Sequence, residues 1–454
     1  MSRPNVLFLM SDQHRADVAG FAGNSVVRTP HLDELARSGV VFDNAYTPSP
    51  ICIPGRQSLM AGQFPRTAKC ERFGDDLPPF SLTWAKRLSQ WGYRSVCAGK
   101  LHHLGADQMQ GWTERVAPDA EVWPRYIEGL QNDLPAFAAE LGTGKWTNQK
   151  EIERAGVAYG PYQRFDERAT QAACDVIESH FVGAAYDRPR APQPLLLKVS
   201  LVQPHYPYFT DEEKFAYYLN RVPIFEGQTP FSHPKLGQTQ AGPIPQVSPR
   251  DIRRATAAYY GMTEAADAHF GTVLRSLENV GQNLDDWLII YTTDHGEMLG
   301  QHAIWEKTQF FEGSARVPLI VRWPRRFGAR RVRENVNLCD LFPTLCELCD
   351  VPIPEKSETV GGAGLDGESL VSLLSGEAKG WRDETVSQFG AGDVMIKRGA
   401  LKYCFYERFG GAEVLFDLER DPHETQNFLK EPRYEAKIES LRARRRELGF
   451  GRPR

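Results

Sequence analysis

The chain has 454 residues, which is enough for one large domain and a smaller one, each with its own core. Hydrophobic residues make up 41% of it and charged residues 25%, the ordinary composition of a soluble globular enzyme. The net charge of −4 gives no support to a nucleic-acid or membrane partner, so we expect neither. No apolar run approaches the ~18 residues that a membrane helix needs.

The N-terminal segment MSRPNVLFLMSDQ predicts a first buried strand, from Asn5 to Met10. Its apolar core is too short for a signal peptide and no small-residue cleavage site follows it. The eight cysteines are scattered without the spacing of a disulfide framework, which fits a reducing compartment. These features predict a cytoplasmic location. The sequence leaves the oligomeric state open, a homo-oligomer included.

Strand-like and helix-like segments alternate over the first ~375 residues, a pattern typical of a mostly parallel sheet covered on both faces. TPHLDELARSG predicts a helix with Thr29 as its N-cap, and SLTWAKRLSQWG predicts one that Ser81 caps and Gly92 ends. Further strands are predicted by three apolar, β-rich segments, Tyr93 to Ala98, Leu195 to Val202 and Trp287 to Thr293. The predicted fold class is α/β, with a large central sheet sandwiched by helices.

From about Glu384 the pattern changes to short strand candidates separated by glycine-containing turns, namely TVSQF, VMIK, LKYCFY and EVLFDL. A closing helix is predicted to begin near Pro432. We therefore predict a catalytic α/β domain over residues 1–380 and a C-terminal subdomain over 381–454, built on a small antiparallel sheet and a terminal helix. Irregular stretches at about 123–162 and 205–250 are predicted to be loops that set substrate specificity.

Polar side chains follow four of the predicted strands. They are Asp12 and Gln13 after the first strand, Lys100, His102 and His103 after the second, His205 after the third, and Asp294 and His295 after the fourth. In open α/β sheets, ligands bind at the carboxyl ends of the strands. Four such endings predict a single convergent site.

The residue types at these endings indicate a metal. Asp12 and Asp294 are hard oxygen ligands and Gln13 adds a neutral oxygen, which suits Ca²⁺, Mg²⁺ or Mn²⁺. His295 could add a nitrogen, which shifts the preference toward Mn²⁺, so the identity of the metal stays open.

Cations and imidazoles surround these ligands. Arg56, Lys100 and Lys307 could hold a tetrahedral oxyanion, and His102 and His205 are candidate proton donors and acceptors. Together with a metal they indicate hydrolysis of a sulfate or phosphate ester. His103 is predicted to pack or to face solvent rather than to catalyse.

The segment LCDLFPTLCELC places Cys339, Cys346 and Cys349 at helical spacing. Buried cysteines behave as small hydrophobes, and a fourth ligand for zinc is missing from the segment. The sequence therefore predicts packing rather than a zinc site.

Four motifs resemble those of the type I sulfatases in the alkaline phosphatase superfamily. Cys52-Ile53-Pro54-Gly55-Arg56 resembles their C-x-P-x-R signature, GKLHHLG their G-K-x-H motif, and QPHYPY their P-H-x-P motif. TTDHGEMLGQHAIWEKTQFFEGSARVPLIVRWP resembles the long block of metal-binding and lysine residues that closes the site. The matches span nearly the whole chain in the expected order.

The resemblance implies that Cys52 is oxidised to Cα-formylglycine (3-oxoalanine) by a formylglycine-generating enzyme, and that one hydroxyl of the hydrated aldehyde attacks sulfur. It assigns one divalent metal, Ca²⁺ or Mn²⁺, to Asp12, Gln13, Cys52, Asp294 and His295. It also assigns the catalytic roles: Arg56 orients the diol, Lys100 holds diol and sulfate, His205 or Lys307 protonates the leaving alcohol, and His102 deprotonates the second hydroxyl.

The sequence departs from the commonest sulfatase pattern at Asp12-Gln13, at Asp294-His295 and at Gly55, which replaces the usual Ser or Ala. The first two departures resemble the subgroup of choline sulfatases and phosphonate monoester hydrolases. GKLHH favours a sulfatase, because phosphonate monoester hydrolases do not keep the Lys-x-His pair. The leading hypothesis is a sulfuric ester hydrolase that cleaves a small sulfate monoester.

Two alternatives stay open. One is a phosphonate monoester or phosphodiester hydrolase on the same scaffold, and the other is an anion-binding protein in which Cys52 is never modified. Carbohydrate, choline and aryl sulfates all remain candidate substrates.

Overall fold

The computed structural model describes residues 3–117, 119, 148–182, 193–225, 231, 233–234, 236 and 247–451. The strands of its large sheet are β1 (Val6–Ser11), β2 (Val40–Tyr46), β3 (Arg94–Gly99), β4 (Glu114–Arg115), β6 (Leu195–Ser200), β8 (Leu288–Thr293), β9 (Arg316–Val317), β10 (Leu319–Arg322) and β11 (Arg330–Asn337). A short separate pair is formed by β5 (Gly156–Val157) and β7 (Phe209–Thr210).

The described residues form twelve α-helices, several of which cover the two faces of this sheet, whereas the last one packs on the C-terminal sheet. They are α1 (Pro30–Ser38), α2 (Cys52–Ala61), α3 (Pro65–Ala68), α4 (Trp84–Gln90), α5 (Asn148–Arg154), α6 (Pro161–Phe181), α7 (Glu212–Leu219), α8 (Pro249–Asn279), α9 (Glu312–Ala315), α10 (Leu341–Leu348), α11 (Val371–Ser375) and α12 (Glu435–Glu447). Among the described residues, no helix combines the length and the apolar character needed to cross a membrane.

The large sheet has the strand order β11-β2-β10-β8-β1-β6-β3-β4. Strands β8, β1, β6 and β3 run parallel, whereas β10 runs antiparallel to both of its neighbours, β2 and β8. The prediction of a mostly parallel sheet is therefore confirmed. In register, Ser11 pairs with Thr293, and Ser200 pairs with both Met10 and Gly99, so the four central strands end at one level.

The core lies on both sides of the sheet, as the alternation along β1 shows. Phe8 and Met10 join a buried cluster with residues of α2, α4 and α10, whereas Leu7 and Leu9 join a second cluster with residues of α1, α6 and α8. Side chains alternate between the two faces of a strand, so a strand buried on both faces is apolar throughout. This explains why the segment VLFLM contains no polar residue.

Two predicted helix caps differ from the structure. The helix α4 begins at Trp84, and its N-cap is Thr83, whose side chain accepts the backbone N–H of Lys86; the assignment of Ser81 was wrong. Thr29 does precede α1, but its side chain makes no capping hydrogen bond. It accepts the N–H of Gly20 instead, at 2.8 Å, and so ties the preceding loop to the helix.

The C-terminal sheet consists of β12 (Glu384–Phe389), β13 (Asp393–Arg398), β14 (Leu401–Tyr406) and β15 (Ala412–Asp417), each antiparallel to the next. The predicted antiparallel sheet and closing helix are thus confirmed, whereas the domain boundary between residues 380 and 381 stays a prediction. Met395, Cys404 and Phe416 of this sheet pack with Met298 and Phe310 from the segment after β8. The sheet therefore supports the segment that carries Lys307.

Two further predictions concern loops and cysteines. Cys339, Cys346 and Cys349 are buried in the apolar clusters, as the packing hypothesis required. Of the predicted specificity loops, residues 120–147 and most of 226–246 lie outside the described residues, so that prediction stays a prediction.

Candidate active site

The ends of the four central strands meet around the guanidinium group of Arg56. Its Nε lies 2.7 Å from Asp294 Oδ2 and its Nη2 lies 2.8 Å from Asp12 Oδ2. Its Nη1 donates to the backbone carbonyl of Lys100 and to Ser200 Oγ, both at 3.0 Å. One buried cation thus joins β1, β3, β6 and β8, and the predicted convergence is confirmed for these positions.

The pKa of Asp12 is well below its ordinary value, although the side chain is fully buried. Burial alone would raise the pKa, but the opposing charges of Lys100 and Arg56 outweigh that effect. Lys100 Nζ lies 3.1 Å from Asp12 Oδ2. Asp12 is therefore an ionised carboxylate, as a hard metal ligand must be.

Cys52 is the first residue of α2, and its side chain is buried. Its Sγ lies 3.0 Å from His295 Nε2 and 3.9 Å from Asp12 Oδ1. Burial, followed by the charge of Asp12, raises the pKa of the thiol. All ten residues of α2 are buried, so Cys52 belongs to the packed interior.

The donor set around Cys52 fits a metal ion. Ligand atoms of Asp12, Cys52, Asp294 and His295 all lie within 4.8 Å of one another. His295 Nδ1 lies 3.0 Å from the carbonyl oxygen of Gly296, so Nδ1 donates and Nε2 is left to face the centre. Burial lowers the pKa of His295, which favours the neutral imidazole that a metal requires.

Gln13 is held so that its amide oxygen faces inward. Its Nε2 donates to Glu297, which fixes the amide orientation, and its Oε1 accepts from Lys307 Nζ at 2.6 Å. Lys307 Nζ also lies 2.7 Å from His205 Nε2. The two predicted leaving-group acids and the predicted neutral ligand therefore form one chain of contacts.

His102 lies in the loop that follows β3. Its backbone N–H donates to Asp119 Oδ2 at 2.6 Å, and its ring meets Phe73 edge to face. The neighbouring His103 is buried, and its Nδ1 lies 2.8 Å from Gln57 Nε2 on α2. Burial holds the pKa of His103 well below its ordinary value, which fits a neutral packed imidazole.

Buried carboxylates position the loops of the site, and the sequence analysis missed them. Glu297 accepts from Tyr208 Oη and from the N–H groups of Leu299 and Glu306. Asp166 on α6 accepts the N–H groups of Val202 and Gln203, at 2.7 and 2.9 Å, in the loop that leads to His205. Asp119 holds the loop of His102 in the same way. The motif DHGEM, which follows a predicted strand, could have pointed to Glu297. No local sequence pattern points to Asp166 or Asp119.

The structure explains Gly55, the unusual residue of the C-x-P-x-R motif. A Cβ atom at this position would lie 2.9 Å from the carbonyl oxygen of Ser49 and 3.2 Å from that of Asp294. Both neighbours are backbone atoms that cannot rotate away. Glycine therefore lets α2 approach the loop of a metal-ligand candidate closely.

This buried cluster of carboxylates and cations, with donor atoms that could hold a metal ion and imidazoles beside them, suits the hydrolysis of esters of a tetrahedral oxyanion. The comparisons specify the class. The sulfatase family model matches residues 4–351, and the model of the C-terminal region of N-sulphoglucosamine sulphohydrolase matches residues 300–449. The chain belongs to the sulfatase family and is a sulfuric ester hydrolase.

Individual relatives agree over nearly the whole chain. A choline-sulfatase of Rhizobium meliloti is 30% identical over 95% of this chain and 83% of that protein. An arylsulfatase of Clostridium perfringens is 27% identical over 97% of this chain and 93% of that protein. The solved phosphonate monoester hydrolase of Agrobacterium radiobacter is similar with a TM-score of 0.74 and 25% identity, covering 97% of this chain and 96% of that chain.

Proposed function

We propose that this protein cleaves a small organic sulfate monoester to an alcohol and sulfate with a formylglycine diol made from Cys52. The observation that carries the proposal is the position of the Cys52 side chain, between His295 Nε2 and the Asp12 carboxylate, 3.0 and 3.9 Å from its sulfur. A nucleophile built at this atom would share its ligand atoms with the metal centre. Family membership supports the modification.

The residues that would hold the metal are Asp12, Gln13, Asp294 and His295, together with the modified residue 52. A bound divalent ion supplies Lewis-acid chemistry, which lowers the pKa of a hydroxyl group beside it. Three of the four fixed donors are oxygens and the fourth is a nitrogen, so both Ca²⁺ and Mn²⁺ suit the set.

The chain's own residues would divide the remaining work. Arg56 bridges Asp12 and Asp294 and balances their negative charge, because it donates to both. Lys100 and the N-terminal N–H groups of α2 would bind the sulfate oxygens. Lys307, paired with His205, would deliver a proton to the leaving alcohol oxygen as its bond to sulfur breaks. His102 would take up a proton when sulfate leaves.

The proposal also covers location and maturation. We propose a cytoplasmic location, on the basis of the cysteine pattern, and modification of Cys52 by a formylglycine-generating enzyme. A homo-oligomer would be compatible with it.

The first test is peptide mass spectrometry of the protein from its native host. Cysteine and formylglycine at position 52 differ by a fixed mass, so the fraction converted is read directly. An unmodified Cys52 would support the anion-binding alternative and overturn the proposal.

Paired kinetics test the second candidate function, phosphonate monoester hydrolysis. That candidate is favoured by the structural similarity to the Agrobacterium enzyme. On an aryl sulfate and the matching aryl phosphonate, we expect the sulfate to have the higher kcat/KM. A phosphonate kcat/KM that is greater by orders of magnitude would replace the sulfatase proposal.

A further inference from the structure

A cleft of about 620 Å³ opens beside the nucleophile, within the ~300–1,000 Å³ range of small-molecule sites. One wall is the segment 71–73, which follows α3, and the other is the β12–β13 turn with residues 407–408 of the connection between β14 and β15. None of the residues that line this cleft has a role in the proposed reaction.

Two residues of the lining are direct neighbours of candidate catalytic residues. Ile51, which lines it, is the N-cap of α2 and is covalently joined to Cys52. Phe73, which also lines it, meets the ring of His102 edge to face, with centroids 5.4 Å apart. A molecule bound in the cleft would therefore contact residues that adjoin Cys52 and His102.

The walls of the cleft are aromatic and its charges cancel. The Phe73 side chain is 54% exposed although it lies beside a buried catalytic candidate, and Phe389 stands on the opposite wall. The charged residues of the lining are Glu71, Glu407, Arg72 and Arg408. Arg408 is already paired with Asp393, at 2.9 Å, and lies over the Phe389 ring. Glu71 is paired with Arg66, at 3.4 Å, so Glu407 and Arg72 remain and their charges balance.

These walls distinguish between classes of alcohol. A cleft with no net charge does not attract an ammonium group by Coulomb forces. Quaternary ammonium groups are bound by cages of several aromatic faces, but among the described residues here Arg408 already covers the Phe389 ring and only the Phe73 face is left open. An exposed aromatic face, by contrast, gains free energy when a flat apolar surface covers it and expels water. Aromatic rings and the apolar faces of pyranose rings both have such a surface.

We propose that this cleft holds the alcohol half of the sulfate ester and selects a ring-shaped alcohol, packed on Phe73, over an acyclic cationic one. The proposal rests on the proposed function and specifies its substrate class. It assigns Phe73 as a specificity-determining residue that lies between the alcohol and His102.

The test is a set of kcat/KM values for three esters, 4-nitrophenyl sulfate, glucose 6-sulfate and choline sulfate, with the formylglycine-containing protein. The variant is Phe73→Ala, and the matched control is Phe80→Ala, which removes another exposed phenyl ring from the same segment but outside the cleft. Because each ester is compared with itself, differences in leaving-group reactivity cancel.

We expect Phe73→Ala to lower kcat/KM about tenfold for at least one ring ester and less than about twofold for choline sulfate. The ring ester with the larger loss tells whether the natural alcohol is aromatic or a pyranose. Phe80→Ala should change none of the three values by more than about twofold.

Equal losses on all three esters would overturn the proposal. They would mean that Phe73 acts only by positioning His102, whose proton transfer follows departure of the alcohol. A larger loss on choline sulfate would overturn it as well. Failure of the wild-type protein, with formylglycine at position 52, to hydrolyse any sulfate ester would instead overturn the proposed function itself.

Discussion

The side-chain nitrogen of Lys307 lies 2.7 Å from Nε2 of His205. His205 Nδ1 lies 2.6 Å from the carbonyl oxygen of Tyr206, so Nδ1 donates and Nε2 accepts from Lys307. In this arrangement Lys307 donates the hydrogen bond, and His205 orients the side-chain nitrogen of Lys307. The two residues form a pair rather than two alternatives for the leaving-group acid.

This pairing predicts how Lys307→Ala depends on the alcohol. The loss of kcat should reach about 10²–10³-fold for an alkyl sulfate, whose alcohol must be protonated as it leaves. It should be at least about tenfold smaller for 4-nitrophenyl sulfate, because 4-nitrophenolate leaves without a proton. Steady-state kinetics on both esters measure the difference.

Lys437→Ala is the control, because Lys437 lies exposed on α12. It should leave both rates unchanged. If Lys307→Ala slows both esters equally, Lys307 binds sulfate rather than protonating the alcohol.

Cys52→Ala should abolish turnover while the protein stays folded. The side chain is small, and removal of one buried sulfur should cost on the order of 1 kcal/mol of unfolding free energy. Activity and the thermal midpoint, measured on the same sample, separate the two effects. Cys174→Ala, at a half-buried position on α6, should keep full activity. Hydrolysis by Cys52→Ala above the background of an empty-vector preparation would refute the nucleophile assignment.

Asp294→Asn should remove the metal. The carboxylate oxygens of Asp294 accept from Arg56 and from the N–H groups of Gln13 and His295, so the neutral amide disturbs two further ligand candidates. It also leaves the buried Arg56 with half of its counter-charge, which should destabilise the protein by about 3–5 kcal/mol.

Metal analysis of the purified variant is the measurement. The matched control is Asp175→Asn, an exposed aspartate on α6 that should keep the full metal content. A stoichiometric ion in Asp294→Asn would show that the metal lies elsewhere.

Gly55→Ala should destabilise the protein and reduce activity, although many sulfatases have alanine or serine here. The new Cβ would lie too close to two backbone carbonyls, one of them that of Asp294. Overpacking of this kind costs about 1–3 kcal/mol. Thermal unfolding and kcat/KM would both report it. Gly328→Ala is the control, because a Cβ at Gly328 would meet no atom within 4 Å. Equal stability of the two variants would contradict the explanation of Gly55.

The sequence predicted those parts of the site that follow from local pattern. Asp12, Lys100, His205 and Asp294 each follow an apolar strand, and the carboxyl-edge rule brings them together. Asp166 could not be found in this way, because it holds backbone N–H groups 36 residues away. The cleft was equally inaccessible, since its walls are more than 300 positions apart in the chain. Contacts of this kind are decided by packing, which leaves no periodic signal.

Glu151 on α5 is buried, and neither of its carboxylate oxygens has a hydrogen-bond partner in the described part of the chain. Burial raises its pKa to about 9, and the charge of Glu306 adds to the effect against Arg154 and Lys307. The folded protein thus favours the protonated form, whereas the unfolded chain ionises near the ordinary value of 4.5. The stabilising difference is fully present below about pH 4.5 and is lost as the pH rises toward 9.

Glu151→Gln, which cannot ionise, should therefore gain stability relative to the wild type as the pH rises. We expect its advantage in unfolding free energy to be about 1–3 kcal/mol larger at pH 8.5 than at pH 5. Denaturant titrations at the two pH values measure it. Glu153→Gln, an exposed position on the same helix, should show the same difference from the wild type at both. Parallel behaviour of Glu151→Gln and Glu153→Gln would mean that Glu151 is ionised in the folded protein, paired with a cation or with water.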